Sequence, residues 1–180
     1  FRIIACQAID LKIDNEDERL IKLSRKLTIE NVEKIKVTEK EKLKSEKISQ
    51  RSSEIATKGD IRSELIIFQR KYANYDKSTY NGIILDGRDI GTVVFPNADF
   101  KLFLDADIEI RAERRTQELI HLNYKVIYQD ILSDLKLRDE RDINRSVSPL
   151  LKAEDAFFID TGYKSENLVL QEALEFIKFN

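Results

Sequence analysis

The sequence predicts an α/β protein with a parallel sheet flanked by helices, and three observations support this fold class. Short apolar runs alternate with longer amphipathic stretches over the second half of the chain. The length of 180 residues is enough to bury one core. A composition of 42% hydrophobic and 36% charged residues is typical of a globular domain. Strands that alternate with helices favour parallel pairing, which places ligands at the carboxyl ends of the strands.

The first third of the chain is predicted to be helical. Residues 1–9 are interpreted as part of a helix, and residues 10–27 place isolated Ile and Leu among charges, as an exposed helix does. From Thr28 to Gly59 the residues Lys, Glu and Ser predominate, which favours an inserted subdomain at approximately 28–60. A solvated charged helix without function is the alternative for this segment, because charge runs often only face water.

The order of elements is clearer after Gly59. A helix with Asp60 as its predicted N-cap runs to about Tyr75. The apolar run "GIILDG" that follows is typical of a strand buried on both faces. Two further stretches repeat the strand pattern, "FKLFLDAD" and "AFFID". Helices are predicted for "IEIRAERRTQELIHL", "YQDILSDLKLRDERDI" and "SENLVLQEALEFIKF".

Charge and cysteine content argue against several kinds of site and partner. A formal net charge of -2 gives no overall attraction to nucleic acid, and no run of eighteen apolar residues suggests a membrane span. The single cysteine, Cys6, excludes an internal disulfide, and with the single His121 it leaves no metal-binding cluster. We therefore expect Cys6 in the core, His121 on the surface, and a cytoplasmic protein without nucleic-acid or membrane partners.

The stretch "LDGRDIGTVVFP" (85–96) places two carboxylates and a guanidinium around a glycine directly behind an apolar run. Asp86 is expected at the end of the predicted strand, with Arg88 and Asp89 just beyond the turn. An Asp in this place can orient a phosphate group or a Mg²⁺-bound water, and it is also common as a simple turn residue. The planar fork of Arg88 suits two parallel hydrogen bonds to a phosphate.

Two later stretches repeat charged residues at helical spacing, so that each group is predicted to share one helix face. The groups are Arg111, Arg114 and Arg115 in the first stretch, and Arg138, Asp142 and Arg145 in the second. Surface ion pairing is the simpler explanation of each group alone. Together with Arg88 they favour a site for a polyphosphate.

These motifs, in this order and spacing, resemble those of the bacterial cytidylate kinases. The resemblance is carried by "DGRDIGTVVFP", "FLDADIEIRAERR", "RDERDINRSVSPL" and "IDT". It is nearly continuous from Ser53 to Asn180 and loose over residues 3–50. It implies a P-loop nucleoside monophosphate kinase fold, with an inserted substrate-binding subdomain and a mobile lid at approximately 136–150. The implied reaction moves the γ-phosphate of ATP to CMP or dCMP in a monomer, with Mg²⁺ that arrives with ATP and no dedicated metal site.

The resemblance also implies roles for individual residues at the acceptor site. Ser53, Arg62 and Asp89 match the family positions that read the cytosine ring. Arg2 and Arg88 match contacts to the phosphate of CMP.

Further roles concern the acceptor sugar and the donor side. Asp142 matches the residue that meets the sugar, and Arg138 and Arg145 match the lid arginines that close over the phosphates. Arg114, on the helix after the second core strand, matches a place from which an arginine packs on the adenine of ATP. The ATP-binding pair is thus Arg114 and Arg138. The predicted catalytic set is Asp86, Arg88, Arg138 and Arg145.

The sequence departs from the family pattern in two places. No G-x-x-x-x-G-K-[ST] loop, which cradles the phosphates of ATP in the family, occurs among its residues, and only five are glycines. Gly59 stands where the family usually has a proline. We expect an upstream segment that supplies the loop and a central strand, and we expect these 180 residues to be inactive alone. Two alternatives remain: a non-catalytic nucleotide-binding remnant or interaction module, and a kinase for another small acceptor.

Overall fold

The computed structural model describes residues 1–14, 16–74 and 82–179. The chain divides into two units. Unit 1 comprises Phe1–Gly87 and Asn144–Pro149, and unit 2 comprises Arg88–Ile143 and Leu150–Asn180.

Unit 1 is built from helices that pack around one apolar core. The helices are α1 (Arg2–Asp10), α2 (Asp17–Arg25), α3 (Ile29–Thr38), α4 (Lys40–Lys44), α5 (Glu46–Ile55) and α6 (Gly59–Ala73). Helix α1 packs on α5, and α2 packs on α6. Their facing sides bury Ile4, Leu20, Ile48, Ile55 and Ile61. Each such side chain contributes about 1.5–3 kcal/mol of transfer free energy.

The helix predicted after Gly59 is confirmed as far as Ala73, and its predicted end near Tyr75 lies outside the described residues. Its predicted N-cap is wrong. Helix α6 begins at Gly59, and the extended Lys58 is its N-cap. Asp60 therefore lies in the first turn of the helix, where its carboxylate still interacts favourably with the helix dipole.

Unit 2 combines a two-stranded parallel sheet with helices. A π-helical turn at Ile90–Val94 precedes β1 (Leu102–Asp105), α7 (Ile108–His121), α8 (Tyr128–Asn144), β2 (Phe157–Asp160) and α9 (Glu166–Phe179). Strands β1 and β2 are parallel, with Leu102 opposite Phe157 and Asp105 opposite Asp160. The predictions of these two strands and of the helices between and after them are confirmed.

The core of unit 2 is smaller than that of unit 1. Ala112, Leu119 and Ile131 form its buried cluster between α7 and α8. Helix α9 contacts β2, where the rings of Phe157 and Phe176 stack with centroids 4.6 Å apart. The apolar contacts of unit 2 are thus divided between this cluster and the contact of α9 with β2.

The prediction of a buried strand in "GIILDG" is wrong. Residues 82–86 have no regular structure, and Ile84 is 98% exposed. Within the described residues the sheet consists of β1 and β2, and no strand pairs with this run. An apolar run forms a strand only where a neighbour satisfies its N–H and C=O groups. Asp86 consequently does not end a strand.

No helix in the described part of the chain has both the length and the apolar character needed to cross a bilayer.

Candidate active site

A charge cluster in unit 2 joins Arg88 to helix α8. The Nε atom of Arg88 lies 3.2 Å from Oδ2 of Asp142, and Nε of Arg138 lies 4.0 Å from the same oxygen. The Asp142 side chain is only 6% exposed, whereas that of Arg88 is 42% exposed. A buried carboxylate is costly unless cations compensate it, and these two arginines do so. The cluster keeps a net positive charge beside solvent, which suits an anionic ligand.

The backbone that follows Arg88 forms the π-helical turn. The carbonyl oxygen of Asp89 accepts hydrogen bonds from the N–H groups of Val93 at 2.9 Å and Val94 at 3.1 Å. The Asp89 side chain is buried. Single π-helical turns are frequent at functional sites. This turn directly follows the predicted site residues Arg88 and Asp89 and fixes the backbone beside them.

Helix α8 presents Arg138 and Asp142 on one face, as the spacing predicted, but Arg145 does not continue that face. The helix ends at Asn144, and Nε of Arg145 donates to the carbonyl oxygen of Ser148 at 2.5 Å. The ring of Pro149 disfavours a helical conformation at the preceding residue, and Ser148 has φ 53°. Arg145 therefore lies in the turn after α8, within unit 1.

The three arginines of α7 line one open groove, as the spacing predicted. Each contacts a different partner. Arg111 pairs with Asp139 of α8 at 2.8 Å. Arg115 pairs with Glu118 at 2.8 Å on α7 itself.

Arg114 bonds the turn after β2. Its Nη2 donates to the carbonyl oxygens of Thr161 at 2.5 Å and Gly162 at 2.7 Å. The N–H and hydroxyl of Thr161 donate to the carbonyl of Asp105 at 2.8 and 2.9 Å. A Cβ atom at Gly162 would lie 3.1 Å from Oδ1 of Asp160, so a larger residue there would displace that carboxylate. Arg114 thus lies at the carboxyl ends of both strands, where parallel sheets bind ligands.

In unit 1, Arg62 is a buried arginine on α6. It is 2% exposed, and its Nε and Nη2 donate to the carbonyl oxygen of Ala56 at 3.1 and 3.0 Å. Its guanidinium lies 4.8 Å from the ring centroid of Phe1, a cation–π contact. Arg62 is therefore fixed in one orientation before any ligand binds.

Helix α5 brings Arg2 and Ser53 into the same part of unit 1. Nη1 of Arg2 donates to the carbonyl of Leu43 at 2.6 Å, and its Nη2 lies 3.5 Å from Oγ of Ser49. Ser53 is buried one helical turn after Ser49. The carbonyl of Ala56, which Arg62 contacts, belongs to the residue that ends this helix.

The predicted site residues thus fall into two groups. Unit 1 contains Arg2, Ser53, Arg62, Asp86 and Arg145, and unit 2 contains Arg88, Asp89, Arg114, Arg138 and Asp142. Hydrogen bonds and ion pairs with neighbouring residues hold most of these side chains, whereas Asp86 is exposed and lies outside any helix or strand.

The described residues contain no group of three or more His, Cys, Asp and Glu that could hold a metal ion. Cys6 is buried on α1, as predicted, and burial raises the pKa of its thiol. His121 is exposed, as predicted, with Nδ1 2.8 Å from the carbonyl oxygen of Gln117.

Comparison with known proteins gives the family. The family model described as Cytidylate kinase matches residues 1–179. The chain belongs to the cytidylate kinase family. A cytidylate kinase of Vibrio vulnificus (strain YJ016) is 36% identical over 187 residues, which cover 99% of this chain and 80% of that protein. A cytidylate kinase of Rickettsia bellii is 39% identical over 178 residues, which cover 98% of this chain and 76% of that protein. A cytidylate kinase of Pasteurella multocida is 42% identical over 136 residues, which cover 76% of this chain and 58% of that protein.

Membership in the cytidylate kinase family confirms the resemblance and makes this chain a nucleoside monophosphate kinase. The family implies a P-loop nucleoside monophosphate kinase fold, and the helix-rich chain with its small parallel sheet agrees with it. The subdomain boundaries, the upstream segment and the individual residue roles stay predictions.

Sequence reasoning missed some residues of this cytidylate kinase family member that order the site. Asp139 pairs with Arg111, and Thr161 connects the two strand ends. Lys101 lies buried directly before β1. A signal for Lys101 exists in "FKLFLD", where one charge stands at the start of an apolar run.

Proposed function

We propose that this chain takes part in the transfer of the γ-phosphate of ATP to CMP or dCMP, giving CDP or dCDP. The observation that carries the proposal is the cluster of Arg88 and Arg138 around the buried Asp142. Relatives that share the chain's pattern are named cytidylate kinases.

The acceptor phosphate is proposed to bind beside the Arg88–Asp142 pair. A guanidinium carries five N–H donors in a planar fork, and Asp142 approaches Arg88 from its Nε side. The side chain is partly exposed, so a phosphate can approach it from solvent. Arg88 is accordingly proposed to bind the CMP phosphate, and Asp142 to contact the sugar. Arg2 is proposed as the second contact to that phosphate.

Ser53, Arg62 and Asp89 are proposed to present donors and acceptors to the edge of cytosine. All three are buried, so a base with the wrong pattern leaves desolvated polar groups unpaired. The bonds from Arg62 to the carbonyl of Ala56 fix its donors before binding, which lowers the entropy lost on association.

Alignment and charge neutralisation supply most of the rate of phosphoryl transfer. Arg138 and Arg145 are proposed to close over the phosphates as part of a lid at approximately 136–150, and to exclude water. Asp86 is proposed to orient the reacting groups, and Arg114 to contact ATP. Mg²⁺ that arrives with ATP neutralises charge on the β- and γ-phosphates.

The roles of the predicted subdomain, the oligomeric state and the activity of residues 1–180 are also proposed. The segment at approximately 28–60 acts as the acceptor-binding subdomain and supplies Ser53, and the protein acts as a monomer. Residues 1–180 alone are expected to bind CMP without transferring phosphate, because no glycine-rich phosphate loop occurs among them. A chain extended by a segment with that loop is expected to transfer phosphate.

Calorimetric titration of residues 1–180 with CMP, AMP and UMP tests the proposal. We expect selective binding of CMP, and a loss of at least about tenfold in affinity for Arg62→Ala, because charged hydrogen bonds contribute about 1.5–3 kcal/mol. Arg51→Ala is the matched control. Arg51 also lies in unit 1 and donates to a backbone carbonyl, that of Ile13 at 3.1 Å, but it is outside the predicted site.

Preference for AMP or UMP would instead indicate a kinase for another acceptor. Absence of CMP binding by the folded chain would contradict the proposal for these residues. Equal losses in Arg62→Ala and Arg51→Ala would show that Arg62 acts through the stability of unit 1 and not through the base.

A further inference from the structure

Lys101 is a buried charge in unit 2 that the proposed reaction does not use. Its side chain is 8% exposed and precedes β1 directly. Nζ donates to both carboxylate oxygens of Asp155 at 2.8 and 2.6 Å and to the carbonyl oxygen of Pro96 at 2.5 Å. Burying an ammonium group is unfavourable unless it is paired, and these contacts use its three N–H donors.

The aliphatic stem of Lys101 packs against the π-helical turn. A Cβ atom at Gly91 would lie 3.3 Å from Cδ of Lys101 and 3.6 Å from its Cγ. The backbone of Lys101 is fixed in turn, because its carbonyl accepts from the N–H of Phe157 at 2.9 Å at the start of the strand pair. The turn therefore rests on a side chain that the sheet holds in place.

Lys101 thus connects the turn at Gly91, the end of the loop at Pro96 and the segment before β2 at Asp155. The π-helical turn is five residues long, and the stem of Lys101 lies against its second residue, Gly91. Its first carbonyl belongs to Asp89, which follows Arg88. Any shift of the turn moves both of these residues.

We propose that Lys101 is a positioning residue that holds the turn Ile90–Val94 and thereby sets Arg88 and Asp89 for the acceptor nucleotide. This inference rests on the proposed function. Lys101 does not touch the nucleotide in this account, and it acts through the backbone of the turn.

The test compares Lys101→Met, which keeps an unbranched stem and removes the charge, with Lys101→Arg, which keeps the charge. Lys164→Met is the control, because Lys164 forms an ion pair with Glu172 at 2.5 Å in the same unit and is partly exposed. Two readouts are taken on the 180-residue chain. They are amide hydrogen exchange at Val93 and Val94, which donate to Asp89, and calorimetric affinity for CMP.

For Lys101→Met we expect the rate of hydrogen exchange at these two amides to rise about tenfold or more, and the affinity for CMP to fall about tenfold. Both changes correspond to the loss of one network of charged hydrogen bonds. Lys101→Arg should restore most of both, and Lys164→Met should change neither. Should Lys101→Met not fold, Asp155→Asn replaces it, because the Asp155 side chain is 65% exposed and tolerates the change. For Asp155→Asn we expect the amide exchange rate and the affinity for CMP to change in the same directions as for Lys101→Met, by smaller factors.

Three results would overturn the inference. They are unchanged exchange at Val93 and Val94, a rise that is equal throughout α7 and α8, and a rise confined to the turn with unchanged CMP affinity. If the wild-type chain binds no CMP, the proposed function fails. The exchange readout still decides whether Lys101 holds the turn.

Discussion

Unit 1 and unit 2 fix their charged site residues by different means. In unit 1, Arg62 lies on α6 between Ile61 and Leu65, which belong to a large apolar core. In unit 2, Arg88 depends on an ion pair with Asp142, and the apolar cluster there is small. Packing is insensitive to salt and to bound anions, whereas ion pairs respond to both. The base is therefore expected to meet a rigid site, and the phosphates a site that rearranges.

The partners of Arg88 give this comparison a chemical meaning. One carboxylate oxygen of Asp142 pairs with Nε of Arg88, and a phosphate is an anion that a guanidinium also binds well. The carboxylate contacts the Nε side of the guanidinium, so the other N–H donors of Arg88 can bind a phosphate. The cluster can therefore bind a ligand while the buried carboxylate of Asp142 keeps its ion pair with Arg88.

The largest expected effect tests packing in unit 1. Leu20→Ala should lower the free energy of unfolding by about 3–4 kcal/mol, because Leu20 is fully buried and its removal leaves a cavity. Leu174→Ala on the exposed side of α9 should cost less than about 1 kcal/mol. Urea denaturation followed by circular dichroism measures both. Equal costs would mean that unit 1 is not held by its core.

The second effect concerns the ion pairs of unit 2. Asp142→Asn should lower stability by about 1–2 kcal/mol, a discounted value because Arg88 is partly exposed. It should also weaken CMP binding about tenfold. Glu140→Gln, an exposed change on the same helix, is the control. Loss of stability without loss of CMP affinity would remove Asp142 from the proposed acceptor site.

The third effect is a pH dependence in each unit. In unit 1, hydrogen bonds from Tyr72 and then from Lys36 lower the pKa of Glu33, and in unit 2 a hydrogen bond from Lys101 lowers the pKa of Asp155. A depressed carboxyl pKa stabilises the fold above the ordinary value, here 4.5 for Glu33 and 3.8 for Asp155. That stabilisation is lost as the pH falls through the folded pKa.

Thermal melts between about pH 5 and pH 2 measure this loss. Glu33→Gln should flatten the acid side of the stability curve in unit 1, and Asp155→Asn should flatten it in unit 2. Local probes in each unit, such as amide exchange on α6 and on the turn Ile90–Val94, assign the change. A variant with the wild-type slope would show that its carboxyl group makes no such contribution.

The smallest expected effect concerns exposed ion pairs, which should contribute equally little to stability in both units. Arg19 pairs with Glu16 at 2.9 Å in unit 1, and both side chains are exposed. Arg19→Ala should change the free energy of unfolding by less than about 0.5 kcal/mol. Lys164→Met in unit 2 should do the same, because its pair with Glu172 is also partly exposed. A cost above about 1 kcal/mol in only one unit would reveal a surface network there.

The sequence predicted elements well where local pattern and packing agree. Helical spacing placed Arg138 and Asp142 on one face, and apolar runs identified β1 and β2. The run "GIILDG" has the same apolar pattern but takes no regular structure, because strand formation depends on a neighbour and not on the run itself. Arg145 falls outside α8, which ends at Asn144, and Pro149 and the positive φ of Ser148 then keep the following turn from continuing the helix.

The residues of the candidate site could be predicted from the sequence, but the contacts that hold them could not. Recognition of the motifs supplied its residues, and the contacts that order them came from the structure. Nothing in a lysine-rich sequence distinguishes Lys101 strongly, because its burial depends on Asp155, which is distant along the chain. The same holds for Arg114, whose carbonyl partners lie on the turn after β2.

The parallel pairing of β1 and β2 has a consequence for biosynthesis. The hydroxyl of Thr161 and the carbonyl of Asp105, which close the strand ends, are 56 positions apart. A ribosome that adds about 5–20 residues per second needs roughly 3–11 s to make the chain between them. During that interval β1 has been synthesised with its apolar side chains, and β2, with which it pairs in the described structure, has not. The nascent chain is then most exposed to aggregation, and a chaperone would have its best opportunity to act.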